Sequence, residues 1–99
     1  MSDNEGISLY GLIMSPIKLA WRAIRVNTGS SDTEGRLVLA DAHLVAVLVR
    51  LDGLEHGSIR GSWLLEAGFG PCHATARDAF RTLRDAGNWI RAQLEAHLI

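Results

Sequence analysis

Leu44-Val45-Ala46-Val47-Leu48-Val49-Arg50-Leu51 decides the fold. Seven of these eight residues are apolar, and both alternating sets are apolar. A strand with one wet face carries a polar residue at every second position, so a strand here buries both of its faces. A chain of 99 residues has little material to cover two sides of a sheet. It needs helices on both sides, a second sheet layer, or another subunit.

The flanking segments supply partners for this strand. Arg36–Ala40 reads as a strand, joined to His43–Leu51 through a turn at Asp41-Ala42. A two-residue hairpin favours Asp-Gly, because its second position has positive φ and a Cβ there is costly. A longer turn including His43 would avoid that cost. After the loop Asp52-Gly53-Leu54-Glu55-His56-Gly57, a third strand is expected over Ser58–Gly68. Trp63, Leu65, Ala67 and Phe69 fall on one of its faces, Leu64 and Glu66 on the other. Gly68-Phe69-Gly70-Pro71 ends it, since proline cannot continue an internal ladder.

The C-terminal helix carries its own signals. Thr82-Leu83-Arg84-Asp85 approximates a capping box, and Phe80, Leu83, Gly87, Ile90 and Leu94 form one apolar stripe. Thr75-Ala76-Arg77-Asp78 offers an earlier start, near residue 75. Gly87 in mid-helix costs about 1 kcal/mol against alanine, which a close approach to the sheet would explain. Toward the N-terminus, Ser15-Pro16 resembles a helix start, and Ile17, Trp21 and Ile24 follow at i, i+4, i+7. A helix over Ser15–Asn27 is therefore expected, the alternative being a strand with Ile17, Leu19, Trp21 and Ala23 on one face. Ile7–Ile13 could add a short edge strand, and residues 1–6 read as a frayed tail ahead of one domain, 7–99.

The composition narrows the class. The apolar fraction is 47% and the charged fraction 21%, both ordinary for a globular domain. Ten basic residues against eleven acidic ones argue against a dedicated nucleic-acid binder, which shows a basic excess. Cys72 is the only cysteine, so no internal disulfide can form and a reducing compartment is expected. The acidic start Met1-Ser2-Asp3-Asn4-Glu5-Gly6 lacks the basic end of a secretory signal, and Ile7–Met14 is too short to span a bilayer. A cytoplasmic protein with no membrane partner is expected. Nine of the ten basic residues are arginine, as in a GC-rich bacterial genome.

Few residues suggest chemistry. Arg77, Arg81, Arg84 and Arg91 would share one stripe of a helix begun near residue 75, a possible contact for an anion or an acidic partner. Asp78 and Asp85 would neutralise part of it. Lys18, Arg22 and Arg25 would repeat the pattern on the first helix. Cys72-His73 pairs a thiol with an imidazole, but adjacent side chains point apart and no companion motif accompanies them. His43, His56, Cys72, His73 and His97 form no metal-ligand spacing, so no metal is expected. Gly68-Phe69-Gly70 lacks the third glycine of a phosphate loop, so no cofactor is expected. Glu66 reads as a water-facing carboxylate on an edge strand. Trp21, Trp63 and Trp89 read as one core residue from each main element.

The sequence thus predicts an α+β domain. A three- or four-stranded antiparallel sheet carries the C-terminal amphipathic helix on one face and an N-terminal helix, or a second subunit, on the other. Leu44, Ala46, Leu48 and Trp63 are the candidate interface. The leading expectation is a non-catalytic protein-interaction or self-association module, with a homodimer or another protein as partner. The alternatives are a nucleic-acid-binding accessory protein using the arginines, and a small enzyme using Cys72 or Glu66 with a histidine.

Overall fold

The structure is a computed structural model that describes residues 17–75 and 77–97. Four strands, β1 (Leu19–Arg25), β2 (Glu34–Ala40), β3 (His43–Arg50) and β4 (Trp63–Gly68), form one antiparallel sheet in the order β1-β2-β3-β4. Short 3-10 turns cover Leu54–Ile59 and Gly70–Cys72, and helix α1 spans Leu83–Glu95. The architecture is α+β, an antiparallel meander with a C-terminal helix.

Residues 19–25 form a strand, not the expected helix. Both periods are present in this segment, and pairing decides between them. All seven residues of β1 pair with β2, from Leu19 opposite Ala40 to Arg25 opposite Glu34. Tertiary pairing outweighs local helix propensity, which is a weak prior. The cap Ser15-Pro16, the tail 1–6 and the strand expected over Ile7–Ile13 lie outside the described residues.

The β2–β3 connection is the two-residue turn, with Asp41 at φ 51° and Ala42 at φ 66°. Ala40 pairs directly with His43, so the longer turn that would relieve Ala42 does not form. His43 Nδ1 lies 2.9 Å from the Asp41 carbonyl oxygen and fastens the turn.

Two bulges offset the register. Val38 pairs with Ala46 and Leu39 with Leu44, which leaves Val45 as the extra residue of β3. Leu48 pairs with Leu65 and Val47 with Ala67, which leaves Glu66 as the extra residue of β4. The expected face Trp63, Leu65, Ala67, Phe69 is therefore broken at Glu66, and Ala67 changes sides. The strand is also shorter than Ser58–Gly68, because Leu54–Ile59 winds into a 3-10 turn. Gly68 allows the chain to fold back: a Cβ there would collide with the Cys72 carbonyl oxygen.

Directly opposed residues of antiparallel strands share a face. One face carries the rows Trp21–Val38–Ala46–Gly68 and Ala23–Arg36–Leu48–Leu65. The helix covers this face. Val38, Ala46, Leu48 and Trp63 are buried there with Phe80, Cys72, Ala86 and Ile90. Helix α1 begins at Leu83, later than residue 75, with the Thr82 hydroxyl accepting from the Asp85 N–H at 3.0 Å. Phe80 precedes it in extended form, exchanging two 2.7 Å backbone hydrogen bonds with Trp63 at the outer edge of β4.

Candidate functional site

The opposite face is apolar and no described element covers it. Its rows are Arg22–Leu37–Val47–Ala67, Ile24–Gly35–Val49–Leu64 and Ala20–Leu39–Leu44. Leu37, Leu39, Val47, Leu64 and Ala67 are half-buried, while Leu44 and Ile24 are 39% and 41% exposed. None of these seven belongs to the buried core or to the apolar residues packed against it. Among the described residues, the face is closed at the end near Val49, where Val26 lies over Gly35. The two apolar sets of the 44–51 stretch thus have different fates. Ala46 and Leu48 lie in the core beneath the helix, and Leu44 and Val47 lie on the face that no described element covers.

The four residues expected at an interface divide the same way. Ala46, Leu48 and Trp63 are 0%, 0% and 7% exposed beneath the helix, so they are core and not surface. Leu44 alone remains on the open face.

The arginine stripe does not form. Arg77 and Arg81 precede α1, and only Arg84 and Arg91 lie on it. Arg77 instead stacks its guanidinium 4.1 Å from the Phe80 ring centroid and 5.0 Å from that of Trp89. Arg91 Nε donates to the Ile17 carbonyl oxygen at 3.1 Å. Arg84 and Arg91 flank a shallow groove with Trp21 and Leu83. The stripe's distant ends are therefore occupied with aromatic rings and backbone. Of the second trio, Lys18 lies just before β1 and Arg22 and Arg25 fall on it, where alternation sends the two arginines to opposite faces.

A cluster that the sequence did not announce joins two loops. Asp32, 7% exposed, accepts from the backbone N–H groups of Asp52 and Gly53 at 2.7 and 2.9 Å through Oδ1. Its Oδ2 stands 2.6 Å from His56 Nε2, which is also 3.7 Å from Glu55 Oε2. The His56 hydrogen bond, reinforced by the two backbone donors, holds the Asp32 carboxyl below its usual range despite the opposing effect of burial. An ionised carboxylate only accepts, so His56 Nε2 carries the proton. Asp32, Glu55 and His56 have the donor types of a cation site and lie within 4.8 Å of one another. Every oxygen of Asp32 is already engaged, however, and the cluster reads as a latch between the β1–β2 loop and the segment after β3. Its signal is invisible locally because the partners are 20 to 24 residues apart.

The remaining candidates carry little chemistry. Cys72 is fully buried, and burial pushes its thiol pKa up, so it stays protonated where a nucleophile would need a thiolate. Glu66 is exposed at the β4 bulge. Beside the latch, Glu34 approaches Arg36 at 3.2 Å and Arg50 at 3.6 Å, and Arg50 reaches Asp52 at 3.5 Å. This network balances its own charge and, being partly open to solvent, adds little stability. No helix among the described residues is long and apolar enough to cross a membrane. Comparison with family models, with curated proteins and with solved structures gave no match.

Proposed function

We propose that this protein is a non-catalytic interaction module whose working surface is the sheet face opposite the helix. The observation that carries the reading is the apolar patch of Leu37, Leu39, Leu44, Val47, Leu64 and Ala67, which the core does not use. At about 4.8 Å between strands and about 3.3 Å per residue, a stretch of five residues on each of three strands gives a patch of about 240 Å² in plan. The largest apolar patch on a soluble domain is often a functional surface.

The competing readings have weaker support. Nucleic-acid binding needs several cations on one surface, and Arg77 and Arg91 are engaged elsewhere. An enzyme using Cys72 would need a reactive thiol, and this one is buried and protonated.

Binding of an environment-sensitive apolar dye tests the proposal. The native protein is expected to bind the dye or to self-associate, and Leu44→Asp is expected to reduce both while leaving the melting temperature within a few degrees. A protein that neither binds dye nor associates would remove the reading.

A further inference from the structure

We infer that the partner of this face is a second copy of the chain, stacked sheet on sheet about a two-fold axis that runs along the strands. The inference rests on the proposed interaction face and adds its occupant and orientation.

Charge placement carries the argument. On the open face, the β1 edge presents Arg22, which alternates with Ala20 and Ile24, and all three are paired residues of β1. Arg22 heads the row Arg22–Leu37–Val47–Ala67, which crosses the whole sheet. The far end of that row is Ala67, and next to it the bulge residue Glu66 is exposed on the β4 edge. The row therefore runs from a cation through apolar side chains to Ala67, beside the exposed carboxylate of the unpaired Glu66.

A two-fold interface presents the same patch on both copies, so each charge must meet its opposite across the axis. An axis along the strands exchanges the two edges of the sheet. It lays β1 over the partner's β4, so that Arg22 stands at the edge occupied by the partner's Glu66, twice per dimer. Leu37 and Val47 then face the partner's Val47 and the partner's Leu37 across the middle. An axis across the strands would instead lay β1 over the partner's β1 and bring like charges together. Aligned sheets pack about 10 Å apart at roughly 30°, which leaves the central row in contact and the edge charges on a wet rim.

The size of the face sets the strength. Two such patches with their rims bury about 1,000 Å² in total, the low end for a specific interface. A dissociation constant in the micromolar range is therefore expected, with the rim charges setting orientation more than affinity.

Light scattering and sedimentation over about 1 µM to 1 mM protein test this. A reversible dimer is expected in that range. Arg22→Glu and Glu66→Arg are each expected to raise the dissociation constant about tenfold, and the two together to restore it to within about threefold of the parent. Leu44→Asp is expected to leave a folded monomer. Val47→Asp serves as a second variant at the centre of the face, with circular dichroism to confirm that each variant is folded. A dimer indifferent to the charge reversals, or not rescued by their combination, overturns the orientation. A monomer throughout overturns the second copy. If that monomer still binds an apolar dye that Leu44→Asp abolishes, the face serves a different protein. If it binds none, the interaction reading falls with it.

Discussion

Gly87 of the helix lies against Trp21 of the edge strand, so close that a Cβ on the glycine would stand 3.1 Å from the indole Cζ2. A glycine in mid-helix costs about 1 kcal/mol, and here it admits the ring of a strand 66 positions earlier. Gly87→Ala is expected to be nearly neutral, within about 1 kcal/mol, because the helical gain is offset by crowding against a ring that is itself 38% exposed. In a Trp21→Ala background the same change is expected to stabilise by about 1 kcal/mol, as the ring no longer opposes it. Urea melts of the four proteins in this cycle decide it, and equal effects in both backgrounds would remove the steric account.

The Asp41-Ala42 turn holds strain that glycine would relieve. Ala42 sits at φ 66°, where a Cβ costs about 1–2 kcal/mol, partly offset by the entropy that glycine loses on folding. Ala42→Gly is expected to stabilise by about 0.5–1 kcal/mol in a urea melt. A loss of stability would mean that the Ala42 side chain makes a compensating contact.

Acid should open the latch. The Asp32 carboxyl is held below its usual range in the folded protein, chiefly by His56. A group with a depressed folded pKa contributes stability above its unfolded value, near pH 4, and loses that contribution as pH falls through the folded one. Asp32→Asn is expected to lower the melting temperature by roughly 5 °C at neutral pH, with the two curves converging below about pH 4. Parallel curves down to pH 2 would show that the carboxylate charge contributes nothing.

Cys72 should be silent until the protein opens. It is fully buried and its pKa is raised by burial, so a disulfide reagent meets neither access nor thiolate. Labelling of the native protein at neutral pH is expected to run at least about a hundredfold slower than in denaturant, at a rate set by opening. Prompt labelling would place the thiol at the surface and revive the nucleophile.

The sequence carried the central strand, the C-terminal helix and its Thr82 cap plainly, because those signals are local and strongly periodic. It was ambiguous over 17–25, where Ile17, Trp21 and Ile24 fit a helix while Leu19, Trp21 and Ala23 fit a strand. Only the partner strand β2 settles that choice. The arginine stripe failed for a related reason. It assumed a helix from residue 75, whereas Phe80 pairs with Trp63 and the helix begins only at Leu83. The bulges at Val45 and Glu66 exchange faces without any glycine or proline to announce them. The candidate face was half legible: two apolar sets in one strand foretold a second covered surface, but the register that places Leu44 there, and Ala46 and Leu48 under the helix, needs the pairing of all four strands.

The hydrogen bond from Arg91 to the Ile17 carbonyl spans 74 positions, whereas every strand of the sheet pairs with its neighbour in the chain. The sheet can therefore grow by zipping successive hairpins, each closing only a short loop, while the helix must wait for nearly the whole chain before it reaches β1. Docking of the helix onto the far edge is therefore expected to come late in folding and, in reverse, to be lost early. Interactions made only after the folding barrier slow unfolding more than they speed folding, so the short seam where Gly87 meets Trp21 and Arg91 meets Ile17 is expected to weigh on the lifetime of the native chain more than on its rate of folding.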